Sequence, residues 1–183
     1  IWKYQKKIVR TGWPMEYMNN TLTLYKNMEK KDIILFPHRI APEKQVEIFK
    51  DLATVMPEYE WIVCQEQELT KNEYHNLLGE AKVVWSANLQ ETLGISWYEG
   101  AVVDAIPLVP DRLSYSEMGL EEFKYPSEWT ESFDAYKQHK DEIIKKIKWA
   151  MSQHSAYQTR LREQVKFLED NFFSARGLLE NIE

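Results

Sequence analysis

The sequence has a single cysteine, Cys64, so no disulfide can close within the chain, and a reducing compartment is the natural setting. No apolar run approaches the length of a membrane span and no secretory signal pattern is present, which leads to the expectation of a cytoplasmic protein. A basic surplus is missing as well. The 23 Lys and Arg stand against 29 Asp and Glu, and the net charge of −6 has the wrong sign for nonspecific wrapping of nucleic acid. The four histidines, His38, His75, His139 and His154, show neither ligand spacing nor a nucleophile pattern, so no metal and no cofactor is expected. Repeats and low-complexity tracts are also lacking, and the lone sequon at Asn19-Asn20-Thr21 is of the kind that chance supplies. The first residues, "IWKYQKK", carry no methionine, and the expectation is of a fragment whose partner domain lies elsewhere.

What is present suits one well-buried domain: 44% hydrophobic residues, with seven Trp and ten Tyr among 183. Residues 1–31 read as a linker with a helical turn or more, in which "KIVRTGW" has the look of a short strand before Pro14. An alternating series follows. "DIILFP" (32–37), "YEWIVC" (59–64), "KVVWSA" (82–87) and "IPLVP" (106–110) are apolar runs of strand length. Between them, "PEKQVEIFKDLATVM" (42–56) has helical spacing with Pro42 in its first turn, and "TKNEYHNLLGEA" (70–81) opens on a Thr70/Glu73 capping box. "GISWYEGAVVDA" (94–105) is the third helix. Such alternation predicts βαβ units, hence a doubly wound parallel α/β sheet of Rossmann-like form with helices on both faces. Residues 134–183 carry two amphipathic helical patterns and no strand signal. The expected division is therefore a 1–31 connecting segment, a 32–133 binding domain and a 134–183 helical tail.

In such sheets ligands sit beyond the carboxyl ends of the strands. "PHRIAPEK" sets Arg39 just past the first strand and Lys44 in the first turn after Pro42. Cations are mildly unfavourable at a helix N-terminus, so two of them converging there point to an anion, with a phosphate as the obvious candidate. Pairing of Arg39 with Glu43 is the simpler alternative. In "LQETLGISWYEG" the N–H groups near Leu93, Gly94 and Ile95 begin a new helix and form a second anion cradle. Glu91 stands before that cradle, where it can accept from sugar-like hydroxyls or only cap the helix. Glu99 stands one to two turns along, where it can accept two ribose hydroxyls or only face solvent.

Taken together, "EtlGiswyE" and the "GavvdaIPLVP" after it resemble the Glu-x7-Glu signature of retaining GT-B glycosyltransferases of the glycogen-synthase-like group. "HRIAPEK" resembles the Arg-x4-Lys element of the same family, in the right order along the chain. The resemblance covers about residues 32–118, the nucleotide-sugar-binding C-terminal domain, and "KIVRTGWP" looks like the segment that leads into it. "PLVPDRLSYSEM" is similar to a stretch found in tRNA-queuosine mannosyltransferases. The sequence departs from the family pattern at His38, often Gly, at Cys64-Gln65-Glu66, where a Gly-rich turn is common, and at Gly100, where Ala is usual and the change looks harmless.

The resemblance implies transfer of a sugar from a nucleoside-diphosphate sugar to an acceptor, with retention and without a metal. It assigns Glu91, Arg39 and Lys44 to catalysis, and Arg39, Lys44, Glu91, Thr92, Leu93, Gly94, Ile95 and Glu99 to donor binding. The acceptor would reach the site through a missing N-terminal domain. The alternatives are a sugar-nucleotide epimerase of the same architecture and a non-catalytic nucleotide- or protein-binding module. The apolar stripe Leu161, Val165, Leu168, Phe172 and Phe173, continued by Leu178 and Leu179, leads to the expectation of exposed apolar surface near 173–179 and of a dimer through the C-terminal helices.

Overall fold

The computed structural model describes residues 11–181. Most of the "KIVRTGW" strand expectation lies outside the described residues, and Thr11–Pro14 is irregular. The elements in chain order are α1 (Tyr17–Leu22), β1 (Lys31–Phe36), α2 (Val46–Val55), β2 (Glu60–Val63), α3 (Lys71–Glu80), β3 (Ala81–Trp85), α4 (Ile95–Val102), β4 (Ile106–Pro110), α5 (Ser114–Met118), β5 (Lys124–Tyr125), α6 (Phe133–Gln138), α7 (Lys140–Gln153), α8 (Gln158–Asn171) and α9 (Arg176–Leu179). The five strands form one parallel sheet in the order β2-β1-β3-β4-β5, with Leu35 opposite Ile62 on one side and Val84 on the other. Helices cover both faces, which is why Ile33 through Phe36 and Val83 through Trp85 are buried as continuous runs rather than in alternation. This is the Rossmann-like α/β fold with a helical C-terminal stretch.

The Thr70/Glu73 box forms as its spacing predicts: Thr70 N donates to Glu73 Oε2 at 2.8 Å and Glu73 N donates to Thr70 Oγ1 at 3.3 Å. The segment 42–56 differs from expectation. Pro42 opens only a short 3₁₀ turn to Lys44, Gln45 takes a left-handed conformation at φ 53°, and α2 begins at Val46. The break follows from the burial of Gln45, whose Nε2 donates to Ala87 O at 2.6 Å and to Thr130 O at 2.7 Å. It also frees Lys44 from the helix and turns it towards the β3–α4 loop. β5, two residues long, has no sequence signature and completes the sheet against Val109 and Pro110.

Within the described residues, the segment before β1 meets the end of α8. Met15, Met18 and Leu22 are buried in the core, ahead of β1. Trp13 N donates to Phe172 O at 2.7 Å and Met15 N to Phe173 O at 3.1 Å. Phe173 is buried against Tyr98 of α4, with ring centroids 4.3 Å apart. The apolar surface expected from 173 to 179 is therefore smaller: Phe173 is covered, and Leu178 and Leu179 are the exposed apolar residues of that stretch.

Candidate functional site

Strand order reverses between β1 and β3, since the chain runs from β1 to one neighbour and later returns to the other. The crevice beyond the carboxyl ends of these two strands is where a doubly wound sheet leaves room for a ligand. It is formed by the loop after β1, the short 3₁₀ turn at 42–44 and the loop between β3 and α4. A cavity of about 560 Å³ lies there, and all eight residues singled out from the sequence (Arg39, Lys44, Glu91, Thr92, Leu93, Gly94, Ile95, Glu99) line it. The two loops are tied together by Leu89 N, which donates to Glu43 O at 2.7 Å.

The β3–α4 loop is built around Glu91. Its Oε1 accepts from the N–H groups of Thr92 and Gly94, both at 3.0 Å. Its Oε2 accepts from Asn88 Nδ2 at 2.9 Å and from Lys44 Nζ at 3.2 Å, while Lys44 also donates to Gln90 O at 2.7 Å. Burial by itself would raise the Glu91 pKa, but the Thr92 amide, the Lys44 charge and the Gly94 amide outweigh it, and the carboxyl titrates below its ordinary value. Gly94, at φ 65° and ψ 40°, caps α4, and a Cβ there would stand 1.9 Å from Trp97 Nε1, so only glycine makes the turn. The first bond of α4 runs from Tyr98 N to Gly94 O, so the N–H groups of Ile95, Ser96 and Trp97 have no partner within the helix.

The two sequence-selected cations differ sharply. The Lys44 side chain is 11% exposed, and that of its partner Glu91 is 15% exposed. Arg39 is 68% exposed and ion-paired with Glu43, the arrangement that their spacing also allowed. Between the loops lies His38, buried, with Asn88 Nδ2 at 3.4 Å and Ser96 Oγ at 3.3 Å from its Nδ1. Burial, reinforced by the Lys44 charge and opposed by Glu91 and the Trp85 backbone, pushes His38 down to about 4, so the ring is neutral near pH 7.

Glu99 is half-buried on the wall of the crevice, and among the described residues no ion pair holds it. Tyr74 of α3 donates its hydroxyl to Glu99 Oε2 at 2.9 Å. Burial raises the Glu99 pKa, with Tyr74 and the more distant Lys71 only partly offsetting it. Gly100 beside it lets α4 approach β3: a Cβ there would fall 2.5 Å from Val84 Cγ2, so an Ala at this position, expected above to be a harmless exchange, is not equivalent here. Tyr74 also walls a neighbouring cavity of about 430 Å³, together with Cys64, Gln65 and Leu69. Burial pushes the Cys64 thiol up to about 12, which leaves it uncharged and unreactive.

Sequence reasoning missed Asn88, Tyr115, Ser96, Tyr74 and Gln45. Asn88 and Tyr115 underpin Glu91: Asn88 Nδ2 also donates to Tyr115 Oη at 3.1 Å, and that hydroxyl is 3.5 Å from Glu91 Oε2. In "PLVPDRLSYSEM" it is Tyr115 that reaches the site, whereas Arg112 turns away and donates to Ser127 O at 2.6 Å and Thr130 O at 3.2 Å. Among the described residues no group of three or more His, Cys, Asp and Glu could hold a metal ion. Nor is any helix among them long and apolar enough to cross a membrane.

No protein-family model matches the chain, and no curated protein matches it. Solved structures do. The crystal structure of TarM superposes with a TM-score of 0.59 at 12% identity, over 96% of this chain and 37% of TarM. A mutant of S. aureus TarM in complex with Fondaparinux, alpha-GlcNAc-glycerol and UDP gives 0.59 at 14% identity, over 84% of this chain and 35% of the other. The chain thus spans little more than a third of these proteins, and likeness at such low identity is likeness of fold.

Proposed function

We propose that the chain is the donor-binding part of a retaining glycosyltransferase and that its crevice takes a nucleoside-diphosphate sugar. The observation that carries this reading is convergence: two loops some fifty residues apart bring Lys44, Glu91 and the N-terminus of α4 around one cavity at the switch point of the sheet. The UDP and sugar ligands of the TarM complex support it by analogy of fold.

The chemistry follows from charge. As the glycosidic bond breaks, the diphosphate gains negative charge, which fixed donors stabilise without reorganising. Lys44, Arg39 and the free N–H groups of Ile95, Ser96 and Trp97 supply that stabilisation, so no metal is required. Glu91, held ionised at the mouth of the cradle, accepts from sugar hydroxyls, and Glu99 accepts from the ribose. The base occupies the neighbouring cavity beside Cys64, Gln65 and Leu69. The chain matches little more than a third of TarM, and on this reading acceptor and general base are supplied from outside the matched part, so donor binding rather than transfer is the activity expected of these residues.

The test is a thermal-shift screen of nucleoside diphosphates, since ligand binding to the folded state raises the melting temperature by mass action. A shift with at least one nucleoside diphosphate, and a smaller one with its nucleoside, is expected. No shift with any nucleoside diphosphate refutes the reading. Among proteins that carry the acceptor domain, release of the diphosphate from a nucleotide sugar supports transfer, and inversion at C2 of the sugar supports the epimerase instead.

A further inference from the structure

The chemistry above leaves a polar contact between α3 and α4 in the crevice unused. Tyr74 projects from α3 and donates to Glu99 of α4, a residue 25 positions away, at 2.9 Å. Its ring borders both cavities, the one containing Glu91 and the α4 N-terminus and the one beside Cys64 and Leu69. On the donor-site reading, a nucleoside that spans the two cavities passes Tyr74.

We propose that Tyr74 is a positioning residue for the nucleotide: its hydroxyl fixes the Glu99 carboxylate so that the remaining lone pairs face the two ribose hydroxyls. The inference rests on the donor-site reading. A carboxylate has about four acceptor positions on its two oxygens. The phenol occupies one on Oε2, and it stays a donor because burial and the adjacent Glu99 raise its pKa far beyond the working range. A pair of vicinal hydroxyls can then use Oε1 and the other side of Oε2 in a bidentate grip. Without Tyr74 the side chain would have to give up rotamer freedom on binding, a cost that a prefixed acceptor avoids.

The test compares UDP with 2′,3′-dideoxy-UDP by calorimetry, for this chain and for Tyr74→Phe, which keeps the ring and deletes only the hydroxyl. The expected result is a loss of about three- to tenfold for UDP, the range of one hydrogen bond, with dideoxy-UDP changed by less than about twofold. Equal losses for both ligands make Tyr74 a mere wall and overturn the proposal, as does no loss for either. Glu99→Gln supplies a second handle: in that background Tyr74→Phe should change UDP binding by less than about twofold, and an undiminished effect there overturns the coupling. If the unaltered chain binds neither UDP nor any other nucleoside diphosphate, the donor-site reading itself fails. That result is read from the thermal-shift screen of nucleoside diphosphates, before any variant is made; a preference for another base moves the same comparison to that nucleotide and its dideoxy form.

Discussion

Glu91 and Glu99 lie in the same stretch of chain, one in the loop before α4 and one within it, and their surroundings push them in opposite directions. The loop carboxylate accepts from two backbone amides, an amide side chain and an ammonium group, and it titrates below its ordinary value despite burial. The helix carboxylate accepts from one phenol in the seam between α3 and α4, and burial raises its pKa. The lesson is that identical side chains a helix turn or two apart can serve as opposite tools. Glu91 is a fixed anion that already fills part of the cradle, whereas Glu99 is a sparsely satisfied acceptor open to hydroxyls.

The largest expected effect tests the first half of that contrast. Lys44→Ala removes the buried cation and should weaken UDP binding about ten- to hundredfold while barely changing uridine. Equal losses for the two ligands would remove the phosphate assignment.

His38 joins the two regions, and its titration should be visible in stability. Its folded pKa of about 4 lies below the ordinary 6.5. Between those values the unfolded chain takes up a proton that the folded chain refuses, so stability is lost as the pH falls from 6.5 towards 4. Denaturant unfolding should show about 2 kcal/mol more loss from pH 7 to pH 5 for this chain than for His38→Gln. Parallel acid limbs for the two proteins would mean that the ring is not held neutral.

The contrast itself is broken or sharpened by the next pair. Glu99→Gln should weaken UDP about five- to tenfold and leave 2′,3′-dideoxy-UDP nearly unchanged, because a neutral amide is a poorer acceptor for ribose. Glu91→Gln should act with the opposite sign and tighten UDP about two- to fivefold, because the anion competing with phosphate at the Gly94 amide is gone. Losses of equal size in both variants would show that the two carboxylates do the same work. The smallest change is expected for Arg39→Ala. Exposed and paired with Glu43, Arg39 should cost UDP only about two- to threefold, in line with a screened surface charge.

Much of the site was legible because the pattern that marks strand ends also marks where a doubly wound sheet binds ligands. The apolar runs at 32–37 and 82–87 located the two loops, Gly94 marked the turn, and the residue types between them pointed to an anion. The partners of those residues were not legible. Asn88 and Tyr115 lie in stretches read for other reasons, and nothing near Tyr74 signals a contact with Glu99. Arg39 and Lys44 looked alike in sequence, and only the left-handed break at Gln45 separates a surface pair from a buried one.

The sequence by itself determined the alternating elements, the parallel sheet, the capping box at Thr70 and the glycine that starts α4. Each of these is dictated by side-chain periodicity or by steric limits within a few residues. The tertiary structure alone decided which carboxylate is satisfied and which is open, where Gln45 interrupts the helix, and how Trp13 and Met15 meet Phe172 and Phe173. Those outcomes depend on contacts across 25 residues for Tyr74 and Glu99 and 85 for Gln45 and Thr130. Such contacts form only after the sheet has brought distant segments together, so no local pattern encodes them; burial then sets the strength of each charge and hydrogen bond.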